Sequence, residues 1–138
     1  MVKLIAGGKG SGKSKTLIKI ANEEVKSNSG NVIFLDNNDR NKFALNHDIR
    51  FTDISEYNIN TLDGFIGFIS GMISRDFDID TVFIDGLFKI VDIESSAITS
   101  LVEKINLLGD RYKIKFYLTV SHPITEIPSE LEKYLYSI

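Results

Sequence analysis

The sequence predicts an α/β fold, a three-layer sandwich around a mostly parallel central sheet. Short runs of continuous apolar residues alternate along the chain with longer stretches whose apolar residues recur every three or four positions. Most of the short runs lack the apolar–polar alternation of a sheet with one wet face, so they read as strands covered on both sides. Four of them also stop at a glycine or polar residue, namely Gly7, Asp36, Asp85 and Ser121. Right-handed crossovers bring such strand ends to one edge, where open α/β sheets bind ligands.

The elements follow in order. Val2 to Ala6 is a buried strand running into Gly7. Leu17, Ile20, Ala21 and Val25 have helical spacing, and the turn residues Ser27-Asn28-Ser29-Gly30 stop that helix. Asn31 to Leu35 is a second buried strand ending at Asp36, and residues 36 to 48 are polar and loop-like. Arg50 to Ile54 is a short strand at or near an edge. From Thr61 a helical stripe runs through Leu62, Phe65, Ile66, Ile69, Met72 and Ile73. It is punctuated by Gly64, Gly67 and Gly71, which suggest close packing of its backbone against the core, or in second place a dimer face. Thr81 to Ile84 is a strand closed by Asp85. Ile98, Leu101, Val102, Ile105 and Leu108 mark a helix ended by Gly109. Ile114 to Val120 is a strand followed by Ser121-His122-Pro123, and Pro128 suits the first turn of a final short helix.

With 138 residues, 43% of them hydrophobic and 25% charged, the chain reads as one globular domain over 1–138. It has no cysteine, which excludes disulfides and thiolate metal sites. The apolar run at the N-terminus is too short for a signal peptide, and no run approaches the ~20 residues of a membrane span. A cytoplasmic protein without a membrane association is expected. The net charge of −3 argues against strong generic affinity for nucleic acid.

The segment Gly7-Gly8-Lys9-Gly10-Ser11-Gly12-Lys13-Ser14 matches G-x-x-x-x-G-K-[ST] at every required position. Glycines let successive backbone N–H groups turn toward phosphate oxygens, and the helix that starts near Lys13 adds its positive end. Lys13 would reach the β- and γ-phosphates, and Ser14 would give its hydroxyl to Mg²⁺. Lys15 completes the set of expected cofactor-binding residues. An accidental match in a chain of this length has a chance of roughly half a percent at average residue usage. Here the match also falls between a strand and a helix, the context that the chemistry requires.

On these residues the chain resembles the P-loop NTPase superfamily, across its whole strand–helix succession. Within it the chain is similar to small bacterial P-loop proteins described as PilT-like. Its length leaves no room for the sensory domain and hexamer-building elements of a pilus motor. The deviant loop of partitioning and MinD-like ATPases is also absent, since Gly8 stands where that loop has its extra lysine. The resemblance implies ATP and Mg²⁺ as ligands. GTP is less favoured, because neither Asp-x-x-Gly at Asp85 nor Asn-Lys-x-Asp is found.

Thr81-Val82-Phe83-Ile84-Asp85 resembles a Walker B strand, which makes Asp85 the second metal-site residue beside Ser14. Many related ATPases of the additional-strand class carry Glu directly after this Asp to polarise water, and here that residue is Gly86. RecA-like and PilT-like relatives place an acid at the end of the strand after the first helix. Asp36 holds that place, with an Asx turn as its alternative role. Lys13, Asp36 and Asp85 are thus the expected catalytic residues. Ser121 or His122 could sense the γ-phosphate or simply end a strand, and His47 has no second histidine near it. Arg40, Arg50, Arg75 and Arg111 are the only arginines, each a surface residue by default or a finger supplied across a homodimer.

Three functions are compatible with this set: a slow NTPase acting as a switch or adaptor for an unidentified protein partner, a small-molecule kinase, and a nucleotide-binding scaffold without hydrolysis. The first fits best, because the binding loop is complete while the catalytic extras are few.

Overall fold

The computed structural model describes residues 1–27, 29–87, 97–122 and 124–136. Five strands, β1 (Val2–Ala6), β2 (Asn31–Asp36), β3 (Arg50–Asp53), β4 (Ile79–Ile84) and β5 (Lys115–Val120), form one sheet in the order β1-β5-β4-β2-β3. Every pairing is parallel. Among the described residues, three α-helices, α1 (Lys13–Ser27), α2 (Leu62–Arg75) and α3 (Ile98–Tyr112), connect the strands.

Alternation along the strands divides the core in two. Ile5, Val32, Phe34, Phe83 and Tyr117 face α1 and pack with its Leu17, Ile20 and Ala21. Leu4, Ile33, Leu35, Val82, Ile84, Phe116 and Leu118 belong to the opposite cluster, with Phe65 and Ile69 of α2 and Leu101, Val102 and Ile105 of α3. The layers are therefore α1, sheet, then α2 with α3. Each fully buried Leu, Ile or Phe contributes about 1.5–3 kcal/mol. On the α1 side the register partners Phe34, Phe83 and Tyr117 form a row of rings, with centroids 6.1 Å and 4.9 Å apart. Each ring pair adds about 0.5–1.5 kcal/mol beyond its area.

The edge position expected for the third strand holds: β3 pairs only with β2. The loop-like segment after Asp36 contains one short 3₁₀ turn, Lys42–Ala44. Thr61 caps α2, its hydroxyl accepting from the Gly64 N–H at 3.0 Å. The terminal short helix is a 3₁₀ segment, Ser129–Tyr134, directly after Pro128. Within the turn signals, Asn28 and Pro123 lie outside the described residues.

Two expectations are corrected. Gly109 does not end its helix. α3 continues to Tyr112 and stops where Lys113 turns left-handed at φ 58°. Gly109 is buried within it, and a Cβ there would come within 2.7 Å of the Ile114 carbonyl oxygen, so the glycine serves close packing. The glycines of α2 do not pack into the core either. Gly64, Gly67 and Gly71 are exposed, and a Cβ on Gly67 or Gly71 would meet nothing within 4 Å. The apolar stripe of that helix buries Phe65, Ile69 and Ile73, with Leu62, Ile66, Phe68 and Met72 partly buried against the same core.

Candidate functional site

The strand register builds the site before any loop is considered. Two residues beyond the ring row, on the same face, stand Asp36 after Phe34, Asp85 after Phe83 and Thr119 after Tyr117. Each is buried, at 2%, 6% and 3% exposure. Three neighbouring strands thus end in a row of polar side chains on the side of the sheet that carries α1. The Thr119 hydroxyl donates to Asp85 Oδ1 at 2.7 Å and accepts from the Gly86 N–H at 3.1 Å. The Asp85 N–H extends the β4–β2 ladder by donating to the Leu35 carbonyl at 2.9 Å.

On the same edge, Gly7 leaves β1 with its N–H donating to the Val120 carbonyl. The chain then turns back through Gly10 and Gly12 at φ 82° and 87° and enters α1 at Lys13. Those backbone angles suit glycine and are strained for other residues. A Cβ on Gly7 would crowd the Ser11 side chain, which would have to shift to admit it. The Lys13 ammonium lies back over the loop and donates to the Gly8 carbonyl at 3.0 Å. The first-turn N–H groups of a helix lack intrahelical acceptors and, with the helix dipole, favour an anion.

A cleft of about 510 Å³ lies between this loop and the row of polar groups. Lys9, Gly10, Gly12, Lys13, Ser14 and Lys15 line one side; Asp85, Gly86, Thr119 and Ser121 line the other. Gly7, Gly8 and Ser11 belong to the loop but do not line the cleft. Two lining groups expected as metal ligands, Ser14 and Asp85, thus open on one space. Among the described residues no three His, Asp or Glu cluster as a self-sufficient metal site. A magnesium ion does not require one, since one or two protein ligands with phosphate oxygens and water suffice.

Asp36 occupies a different place. Its strand β2 is three positions from β1, about 14 Å at ~4.8 Å per strand, and it does not line the cleft. It stands behind Asp85, with Oδ1 accepting from the Asn37 N–H at 2.7 Å and Oδ2 buried without a hydrogen-bond partner. Burial, then the charge of Asp85, push its carboxyl up to about 6, while Asn37, Asn41 and Arg40 pull the other way. The missing glutamate after Asp85 has a physical basis. Gly86 sits at φ 69°, and a Cβ there would stand 3.0 Å from Asn37 Oδ1.

The remaining candidates separate from the site. His122 is not among the lining groups, and His47 is exposed beside Asp48. Arg40 follows Asp36 and binds the Asn38 side chain. Arg50 opens β3 and pairs with Asp76 at 2.9 Å, whereas Arg75 and Arg111 lie in the last turns of α2 and α3. These three belong to the opposite edge of the sheet. That edge also holds a larger groove, about 620 Å³, lined by Ile73, Phe77, Leu108 and Tyr112. Two helices direct their negative ends toward it, which disfavours phosphate despite its greater volume.

Thr119 is the site residue that the sequence expectations miss. Its signal is a repeated pattern, aromatic–apolar–polar, in Phe34-Leu35-Asp36, Phe83-Ile84-Asp85 and Tyr117-Leu118-Thr119. No family model matches the chain, and no curated protein is significantly similar to it.

Proposed function

We propose that this chain is a P-loop NTPase-fold protein that binds a nucleoside triphosphate, ATP in preference to GTP, with Mg²⁺, and turns it over slowly as a switch or adaptor. One observation carries the reading. A glycine-built loop at the N-terminus of α1 faces a buried carboxylate, Asp85, across a single cleft. The loop amides and Lys13 suit the phosphates; Ser14 and Asp85 suit the metal ion. When bound, Mg²⁺ neutralises charge on the β- and γ-phosphate oxygens. Asp85 is oriented for that task, with one oxygen engaged by Thr119.

The test is titration calorimetry with ATP and Mg²⁺ on the wild type and Lys13→Ala. The Lys13 ammonium bonds the carbonyl of its own loop, and the residue lies outside both core clusters. The substitution should therefore abolish binding and leave the urea unfolding midpoint unchanged. Equal affinity in the two proteins would remove the phosphate-loop assignment.

A further inference from the structure

We propose that Thr119 is a positioning residue that fixes the Asp85 carboxylate for the metal ion, a role resting on the Mg²⁺ reading above. Thr119 is buried at 3% exposure on the α1 face of the sheet, two residues beyond Tyr117, at the end of the strand between β1 and β4. A buried hydroxyl costs stability unless it is hydrogen-bonded, and here both its donor and its acceptor capacity go to the end of β4. The bond to Asp85 Oδ1, at 2.7 Å, is at the ordinary length of an O–H···O hydrogen bond.

Two consequences follow from that geometry. A carboxylate at a strand end is free to rotate about χ1 and χ2, and the Thr119 bond selects one orientation. It engages Oδ1 of a carboxylate that lines the cleft. The same hydroxyl oxygen holds the Gly86 N–H where the chain leaves β4 at φ 69°, so one side chain sets both the acid and the turn beside it. Asp85 is then braced from both flanks, by Leu35 of β2 through the backbone and by Thr119 of β5 through the side chain. Partners of this kind around a metal ligand typically change metal affinity 10–100-fold when removed.

The experiment is an ATP titration over a series of Mg²⁺ concentrations for wild type, Thr119→Val, Thr119→Ser and Asp85→Asn. Valine keeps the β-branched shape and removes the hydroxyl; serine keeps the hydroxyl. Thr119→Val should lose 10-fold or more of the Mg²⁺-dependent affinity. Its binding of ATP in EDTA should be unchanged, and Thr119→Ser should behave as wild type. Thr119→Ala supplies the same comparison if the valine variant does not fold. A hydroxyl-free variant with wild-type Mg²⁺ dependence, beside an Asp85→Asn that loses it, overturns the role of Thr119 and leaves the metal reading standing. Loss in the serine variant as large as in valine also overturns it. Wild-type Mg²⁺ dependence in Asp85→Asn would remove the metal reading, and this proposal with it.

Discussion

Asp36 and Asp85 end neighbouring strands side by side with buried carboxylates, and one oxygen of Asp36 has no hydrogen-bond partner. Burial and the adjacent charge hold the Asp36 carboxyl near 6, against about 4 in the unfolded chain. The folded protein therefore takes up this proton at a higher pH than the unfolded one. The stability it contributes is complete below pH 4 and is lost as pH rises through 6. Two pH units correspond to about 3 kcal/mol. Asparagine mimics the protonated acid, so Asp36→Asn should be more stable than wild type by about 1–3 kcal/mol at pH 8, without Mg²⁺ or nucleotide, and equal to it near pH 4. Urea unfolding at the two pH values measures the difference. A difference that does not change with pH would mean that Asp36 is ionised at little cost.

The exposed glycines of α2 give a second prediction. Gly67 and Gly71 sit in the helix interior with open space where a Cβ would stand. Glycine there costs helix stability through its backbone freedom. Gly67→Ala and Gly71→Ala should each stabilise the protein by about 0.5–1 kcal/mol in urea unfolding. Destabilisation by both would show that this backbone face is already occupied.

How far the sequence reaches is clearest from these same elements. Continuous apolar strands, helical stripes and the loop from Gly7 to Ser14 depend on local chemistry, and they stand where periodicity and turn residues place them. Strand order depends on which distant segments pack together, and no local pattern encodes that β5 separates β1 from β4. That placement makes Thr119 a neighbour of Asp85 and sets Asp36 behind it. The glycines misled for a related reason. Gly109 and Gly71 look alike in a string, but one is pressed against the Ile114 carbonyl and the other faces solvent.

The last prediction is that the isolated protein hydrolyses ATP far below the ~10 s⁻¹ typical of enzymes, and that Asp36→Asn lowers the residual rate while leaving ATP affinity nearly unchanged. Hydrolysis requires neutralised phosphate charge and an oriented water. Lys13, the loop amides and Mg²⁺ at Ser14 and Asp85 would provide the first. The second is poorly served, because Gly86 carries no acid and its φ of 69° is strained for a side chain. No arginine lines the cleft among the described residues, and Arg50, Arg75 and Arg111 stand at the opposite sheet edge. Absence of an arginine finger alone can cost 10³–10⁵ in rate. Among the described residues, Asp36 is the acid beside Asp85, with a buried oxygen and a carboxyl near 6 that suits proton transfer close to neutral pH. Since it does not line the cleft, its contribution should be modest and its removal should spare binding. Phosphate release under saturating ATP measures the rate, and filter binding measures the affinity. Gly86→Glu should not raise turnover, because the backbone there is strained for any side chain. Turnover near 10 s⁻¹ without a partner would reject the switch, and an unchanged rate in Asp36→Asn would leave that residue only its hydrogen bond to the Asn37 N–H.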